Sequence, residues 1–373
     1  METRVVKLDP HKADIDRIRD AAALVDSGRL VAFPTETVYG IACRVAYNSL
    51  KNLDTVKKRD PDKHYSLHIG QKSELRKYVP RISFRARKLV EHTWPGPLTV
   101  VFELTQEDLT RQRRVLAPEV FDNLYKSSSI GIRCPDHPIA SILLRSTHHP
   151  VVAPSVNVAG ESPAVDPKQV YARFSGQIDL LLDAGPCNYG RPSTVVRVTD
   201  RDLEVLRPGV YSEAEIRGIS TVGILFVCTG NTCRSPMAEG IFRRYLAEKL
   251  KCSVDQLEEM GYKIMSAGVM NALGGPASKE AVATCEAKGI DIKAHRSKTI
   301  SPQLINQCDL IFVMERTHCD AVTALNPEAT NKCMLLAQDR DIPDPIGQPR
   351  EYYGHCAQLI EQAVKQRLGE LVI

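Results

Sequence analysis

The sequence has no run of 18 uninterrupted apolar residues, so no segment reads as a helix able to cross a bilayer. Its first ten residues, METRVVKLDP, lack the basic stretch followed by an apolar core that marks a secretory signal. A cytoplasmic protein with no membrane partner is expected from these two absences. None of the 11 cysteines forms a CxxC pair, which argues against a structural zinc site and against a disulfide scaffold. Reduced thiols are therefore expected. There is no low-complexity tract, internal repeat or concentrated basic stripe. The net charge of +4 over 373 residues permits a polyanionic partner without requiring one.

What is present is the composition of a globular protein, 43% hydrophobic and 25% charged. A chain of 373 residues is long for one hydrophobic core and comfortable for two. Turn-forming and charged residues cluster from Arg207-Pro208-Gly209 through Glu213 to Ser220, after which TVGILFVC resumes an apolar run. The expected division is a first domain over 1–210, a linker over 211–221 and a second domain over 222–373. In the first, strands are expected at 30–33, 66–69, 98–104, 130–133, 150–153, 178–182 and 194–198, with helices at 12–26, 48–59, 82–92, 137–146 and 167–174. In the second, strands at 222–227, 262–266 and 309–313 alternate with helices at 236–249, 278–287, 301–306, 317–325 and 352–370. Both patterns are α/β, and the second suggests a parallel sheet covered on both faces.

The second domain opens with a strand, a loop and a helix around Cys228-Thr229-Gly230-Asn231-Thr232-Cys233-Arg234-Ser235-Pro236. Five residues between Cys228 and Arg234 let the loop curl about a tetrahedral oxyanion with backbone N–H groups and the first helical turn facing inward. Gly230 is expected to supply the tight, left-handed backbone, and Pro236 to occupy the first helical position. Arg234 offers two parallel donors to phosphate oxygens, and the same positive field favours the thiolate of Cys228 as nucleophile. Ser235 is suited to hydrogen-bond the sulfur as it departs. The loop Asp341-Ile342-Pro343-Asp344-Pro345-Ile346-Gly347 holds the candidate general acid, Asp344, with Asp341 or Asp339 as fallback, and Tyr352 and Tyr353 as candidate lining of the mouth. Cys233 reads either as packing or as a resolving thiol for oxidised Cys228.

With Ser266-Ala267-Gly268 added, these motifs resemble the low-molecular-weight phosphotyrosine phosphatase superfamily over nearly all of 222–373. The resemblance implies a four-stranded parallel sheet flanked by helices, no metal, a phosphocysteine intermediate, phosphate binding by the loop 229–235, and Asn231 as a brace of that loop. Thr232 stands where tyrosine-specific members usually carry an aliphatic residue, so the sequence looks like the protein-arginine phosphatase branch. Phosphoarginine in proteins is the leading substrate expectation and phosphotyrosine the second. Arsenate reduction, a third branch, needs a close pair of further cysteines, and the spacing of Cys285, Cys308, Cys319, Cys333 and Cys356 does not show one.

The first domain carries hydroxyl-rich turns, Pro34-Thr35-Glu36-Thr37-Val38-Tyr39-Gly40, Ser155-Val156-Asn157 and Ser193-Thr194, beside the basic cluster Lys57, Lys58, Arg59 and Lys63 around Pro61-Asp62. Read alone these are solvated turns and caps, or a site that neutralises a nucleotide triphosphate. With Trp94-Pro95-Gly96-Pro97, Gly131-Ile132-Arg133-Cys134-Pro135-Asp136-His137-Pro138 and Arg207-Pro208-Gly209, they resemble the YrdC/Sua5 family across about 10–210. That resemblance implies a twisted α/β fold with a large basic cavity. It also implies synthesis of L-threonylcarbamoyladenylate from L-threonine, bicarbonate and ATP, releasing pyrophosphate and feeding a tRNA modification. Thr35 would meet threonine or the carbamate. Lys57, Arg59 and Lys63 would bind phosphates and carboxylate, Ser155 and Asn157 the nucleotide, and Arg133, Ser193 and Arg207 would complete the cavity. Mg2+ is expected with ATP, held mainly by phosphates, and RNA or tRNA-modification proteins are possible partners. Asp60 and His64-Tyr65 depart from the family pattern, where proline, and a small residue followed by leucine, are common. The non-enzymatic alternative is an RNA-binding module using the same cavity.

Overall fold

A computed structural model describes residues 2–60, 63–199, 201–271 and 274–371. The chain separates into two compact units, Met1–Ile219 and Ser220–Ile373.

In the first unit ten strands form one mixed sheet. They are β1 (Arg4–Lys7), β2 (Val31–Phe33), β3 (Gly40–Arg44), β4 (Ser66–His68), β5 (Leu98–Glu103), β6 (Ser129–Arg133), β7 (Val151–Val152), β8 (Leu180–Asp183), β9 (Thr194–Val198) and β10 (Leu203–Arg207). Their spatial order is β1-β8-β2-β3-β7-β4-β6-β5-β9-β10. Alternation along the strands feeds two cores: Val31 and Phe33 of β2 pack with helices Ile15–Asp26 and Pro138–Ser146 on one face, while Ala32 points to the other. A two-residue period with both sets apolar is what a sheet buried on both faces requires.

Strands β1, β3 and β10 and helices Gln106–Val115, Pro118–Leu124 and Glu213–Ser220 go beyond the sequence reading. The last of these corrects the linker assignment. Residues 213–220 form a helix whose Ile216 is fully buried in the core of the first unit, with Ile219 packed against the same core. Charged residues at a helix start resemble a solvated turn when read alone, and only the apolar stripe separates the two.

In the second unit β11 (Val222–Cys228), β12 (Tyr262–Gly268), β13 (Leu310–Val313) and β14 (Cys333–Leu335) form an all-parallel sheet in the order β12-β11-β13-β14. Phe226 of β11 stacks on Phe312 of β13 with ring centroids 5.7 Å apart, and Phe242 of helix Arg234–Leu250 closes the cluster at 5.3 Å from Phe226. The central strand therefore ends, at Cys228, above a packed aromatic floor. Helix Arg350–Glu370 reaches back to the exit of β14, where Arg367 donates from Nε to the Leu336 carbonyl at 3.0 Å.

Truncation of Ile216 to alanine should destabilise the first unit by about 2–5 kcal/mol. Urea unfolding followed by the fluorescence of Trp94, the chain's one tryptophan, measures this within the first unit.

Candidate functional site

In the second unit, β11 delivers Cys228 to the C-terminal edge of the sheet and the helix beginning at Arg234 follows five residues later. The Cys228 sulfur accepts the Asn231 backbone N–H at 3.3 Å and lies 3.0 Å from the Ser235 hydroxyl. Asn231, not Gly230, takes the left-handed conformation, with φ +53°. Asparagine tolerates that region better than most residues, and here its side chain is held on three sides. Nδ2 donates to Ser235 at 2.9 Å and to Ser266 at 3.0 Å, while Oδ1 accepts the Lys298 N–H at 2.8 Å. Ser266 in turn donates to Glu239 at 2.7 Å. Gly268 is the glycine that the loop demands, because a Cβ there would stand 2.8 Å from the Thr229 carbonyl oxygen and 3.0 Å from the Asn231 nitrogen. Pro236 falls third in the helix rather than first, still within the turn whose N–H groups have no intrahelical partner.

Arg234 is 1% exposed. Its Nη1 donates to Glu315 and, at 3.0 Å, to the Ile342 carbonyl; its Nη2 donates to Asp344 and, at 2.9 Å, to the Thr229 hydroxyl. Its buried Nε has no hydrogen-bond partner among the described residues. Burial alone would raise the Glu315 carboxyl; the Arg234 guanidinium overrides that and holds it below the usual range. Asp344 is brought here because the loop is tied to β13: Ile342 N–H reaches the Met314 carbonyl at 2.8 Å, and Asp341 accepts the Arg316 N–H at 3.1 Å. Asp341 takes that N–H and Asp339 is exposed beside Arg340, whereas Asp344 is the carboxylate of this loop that pairs with Arg234.

Glu315 and His318 were not anticipated from sequence. They sit at the start of helix Arg316–Leu325, where they cap each other, and His318 Nε2 lies 2.9 Å from the Thr229 hydroxyl. The Cys233 sulfur lies 3.4 Å from the Ser278 hydroxyl and 3.5 Å from that of Tyr353, which is buried; Tyr352 is exposed. The sulfurs of Cys319 and Cys333 are 3.2 Å apart, a contact that the sequence spacing does not announce. Fourteen residues separate them in sequence, and only the return of the chain in β14 beside the helix of Cys319 makes them neighbours.

In the first unit a cavity of about 730 Å³, part of it open to solvent, is lined by Thr35, Arg59, Arg133, Ser155, Ser193 and Arg207 among others. The described lining residues include no carboxylate. Thr35 is fixed by its hydroxyl, which donates to the Val38 carbonyl at 2.6 Å. Arg133, 5% exposed, donates from Nη2 to Glu36 at 2.8 Å and to Thr37 at 2.7 Å, and Glu36 also accepts the Asp136 N–H at 3.1 Å. The buried Nε atoms of Arg59 and Arg133 have no partner among the described residues. Lys57 is buried behind the wall, donating to the carbonyls of Ser155 and Asn157, and Asn157 accepts the Ser155 hydroxyl. Burial first, then the Arg59 charge, pulls the Lys57 ammonium down to about 8. Lys63 is exposed and is not brought to the lining; Pro61 and Asp62 lie outside the described residues.

The residues that depart from the family pattern have a use in this chain. The Arg59 guanidinium lies 4.4 Å above the Tyr65 ring and donates to the His64 carbonyl at 2.7 Å, while Tyr65 donates to Asp54. Cation–π stacking and a carbonyl thus aim Arg59 at the cavity. His68 also lines it, unforeseen, although its inward place follows from alternation along β4. Its Nδ1 donates to the Ser66 carbonyl at 3.2 Å, which leaves Nε2 a lone pair, and burial followed by the Arg133 charge lowers its pKa to about 3.

Residues 23–209 match the family model Sua5/YciO/YrdC, described as Telomere recombination, and residues 223–372 match Low molecular weight phosphotyrosine protein phosphatase. A threonylcarbamoyl-AMP synthase of Pyrococcus abyssi is 31% identical over 233 residues, 62% of this chain and 65% of its own length. The chain thus spans less than two thirds of that relative. The low molecular weight protein-tyrosine-phosphatase Etp of Escherichia coli is 32% identical over 146 residues, 38% of this chain and 90% of its own. A solved structure of a doubly substituted P. abyssi Sua5 matches with TM-score 0.51 and 22% identity, over 78% of this chain and 89% of that one, a likeness of fold. No helix among the described residues is long and apolar enough to cross a membrane.

A pH dependence of stability follows from His68. Between its unfolded pKa of 6.5 and its folded value of about 3, the unfolded chain binds a proton that the folded one refuses. The first unit should therefore lose stability as pH falls below 6.5, and His68→Asn should make that loss shallower. Trp94-detected urea midpoints between pH 7 and pH 4 are the measurement.

Proposed function

Since the chain belongs to the Sua5/YciO/YrdC family in its first unit and to the low molecular weight phosphotyrosine protein phosphatase family in its second, we propose that it is a bifunctional enzyme with two independent phosphorus chemistries. The first unit makes L-threonylcarbamoyladenylate from L-threonine, bicarbonate and ATP, for the threonylcarbamoyl modification of tRNA. The second hydrolyses phosphorylated proteins through a phosphocysteine.

For the first unit, the observation that carries the reading is a cavity ringed by Arg59, Arg133 and Arg207 with no carboxylate among its described lining residues. Such a wall suits a triphosphate and the charge that builds when a carboxylate attacks the α-phosphorus and pyrophosphate leaves. Thr35, Ser155 and Ser193 supply hydroxyls for threonine and nucleotide, and Lys57 shapes the Ser155–Asn157 turn through its carbonyls. Magnesium arrives on the phosphates of ATP, because the lining presents hydroxyls and cations rather than an oxygen cage.

For the second unit, the carrying observation is the Cys228 sulfur 3.0 Å from the Ser235 hydroxyl, beside a buried Arg234 whose Nη2 reaches the loop at the Thr229 hydroxyl and whose Nε has no partner among the described residues. The Cys228 thiolate attacks phosphorus, the bond to the leaving oxygen or nitrogen breaks, and Asp344 gives that atom its proton. Water then attacks the thiophosphate, Asp344 takes the water's proton, and Ser235 hydrogen-bonds the sulfur as it leaves. Phosphoarginine is the preferred substrate: among the described residues the Thr232 hydroxyl has a single long contact, to the Cys233 sulfur at 3.7 Å, so it is available to a guanidinium, and it offers an aryl ring little apolar surface.

Full-length protein should release pyrophosphate from ATP only when threonine and bicarbonate are both present. Lys57→Ala should abolish that activity and spare the phosphatase, and Cys228→Ser should do the reverse. RNA affinity with steep salt dependence and no ATP turnover would instead establish an RNA-binding module. Arsenate-dependent thioredoxin oxidation would establish the reductase branch. A second prediction concerns selectivity: wild type should have higher kcat/KM on phosphoarginine than on phosphotyrosine peptides, and Thr232→Ile should shift the ratio towards phosphotyrosine by about tenfold or more. A wild-type preference for phosphotyrosine that Thr232→Ile leaves unchanged would refute the assignment.

A further inference from the structure

The group that invites further reading is His318, 3% exposed, which touches the phosphate-binding loop without belonging to it. Its Nδ1 receives the Glu315 backbone N–H at 3.1 Å. A peptide N–H can only donate, so Nδ1 is a lone pair and the neutral ring carries its hydrogen on Nε2. That nitrogen is 2.9 Å from the Thr229 Oγ1 and must donate to it. The Arg234 Nη2, which has hydrogens and no lone pair, donates to the same oxygen at 2.9 Å. Both acceptor positions of the threonine oxygen are then filled, and its own hydrogen is the valence that remains.

From this closed assignment of donors and acceptors we infer that His318 is a positioning residue that fixes the Thr229 hydroxyl as a hydrogen-bond donor to the phosphoryl group under transfer. Thr229 directly follows the nucleophile, and its hydroxyl shares Arg234 Nη2 with Asp344, so the hydrogen is offered at the rim of the anion site. The consequence for selectivity is specific. A hydroxyl already accepting twice cannot receive an N–H from a guanidinium, so Thr229 reads phosphoryl oxygen in either substrate and leaves leaving-group discrimination to Thr232. The charged groups around the ring are Arg234, Glu315, Asp344 and Asp341. A second proton on Nδ1 would face the Glu315 N–H, and burial with Arg234 lowers the ring's pKa, so the geometry and the field both keep the ring neutral.

The inference rests on the phosphatase reading of this site. It is tested on the full-length protein with p-nitrophenyl phosphate, using Thr229→Val, His318→Leu and the double variant, with Cys228→Ser as control. Each single change should lower kcat/KM by about 10–100-fold, the worth of a hydrogen bond to a charged group. The double variant should be within about threefold of the worse single one, because both remove the same donor. Multiplicative losses would overturn the inference, as would a His318→Leu enzyme equal to wild type. A measurement that requires no catalysis accompanies these. Ring 15N shifts of His318 in the wild-type chain should show the Nε2–H tautomer from pH 5 to 8. The Nδ1–H tautomer, or a doubly protonated ring at pH 6, would overturn it. Failure of the phosphatase reading is separable: wild type would then be inactive, or its activity would survive Cys228→Ser, whatever the tautomer.

Discussion

The second site depends on one buried cation held between two carboxylates. Arg234 stands between Glu315 and Asp344, spends both terminal nitrogens on them and on the loop, and keeps only Nε unpartnered among the described residues. A buried guanidinium is costly unless compensated, and two carboxylates more than neutralise it. Arg234, Glu315 and Asp344 together carry a formal charge of −1 when both acids are ionised, so the carboxylates secure the guanidinium at the expense of its pull on an anion. Glu315 on Nη1 and Asp344 on Nη2 keep the guanidinium in place.

The first unit treats its buried arginine differently. Arg133 has one carboxylate, Glu36, which is itself fixed by the Asp136 N–H and lies outside the cavity lining. The pair is balanced behind the wall, and Arg59 is aimed by an aromatic face and a carbonyl rather than by an acid. The difference follows the chemistry proposed for each site. A nucleotidyl transfer has no need for a carboxylate that donates a proton, and an acid facing the cavity would oppose the triphosphate.

The contiguous motif was the legible part of the chain. Cys228, Arg234 and Ser235 converge because the strand-loop-helix order and the five-residue spacing force them to, and Asp344 is announced by its flanking prolines. Groups that act across the fold were hidden. Glu315 and His318 lie on a helix start more than 80 residues away from the loop they touch, and nothing in MERTHCDAV distinguishes them from an ordinary cap. The contact of Cys319 with Cys333 was invisible for the same reason, since it depends on the return of the chain in β14 beside the helix of Cys319. Helix Glu213–Ser220 was misread because its charges outnumber its apolar stripe. Gly230 was given a task that falls to Asn231, whose side-chain network, spread over Ser235, Ser266 and Lys298, offsets the conformational cost.

The arginine-ringed hollow of the first unit carries a consequence for how the protein behaves in a crowded ionic solution. With no acid in its described lining to repel strangers, it has little means of refusing polyanions on charge alone, and shape and hydroxyl contacts must do the sorting. Sulfate, citrate and inorganic phosphate in a buffer become rivals of the intended guest.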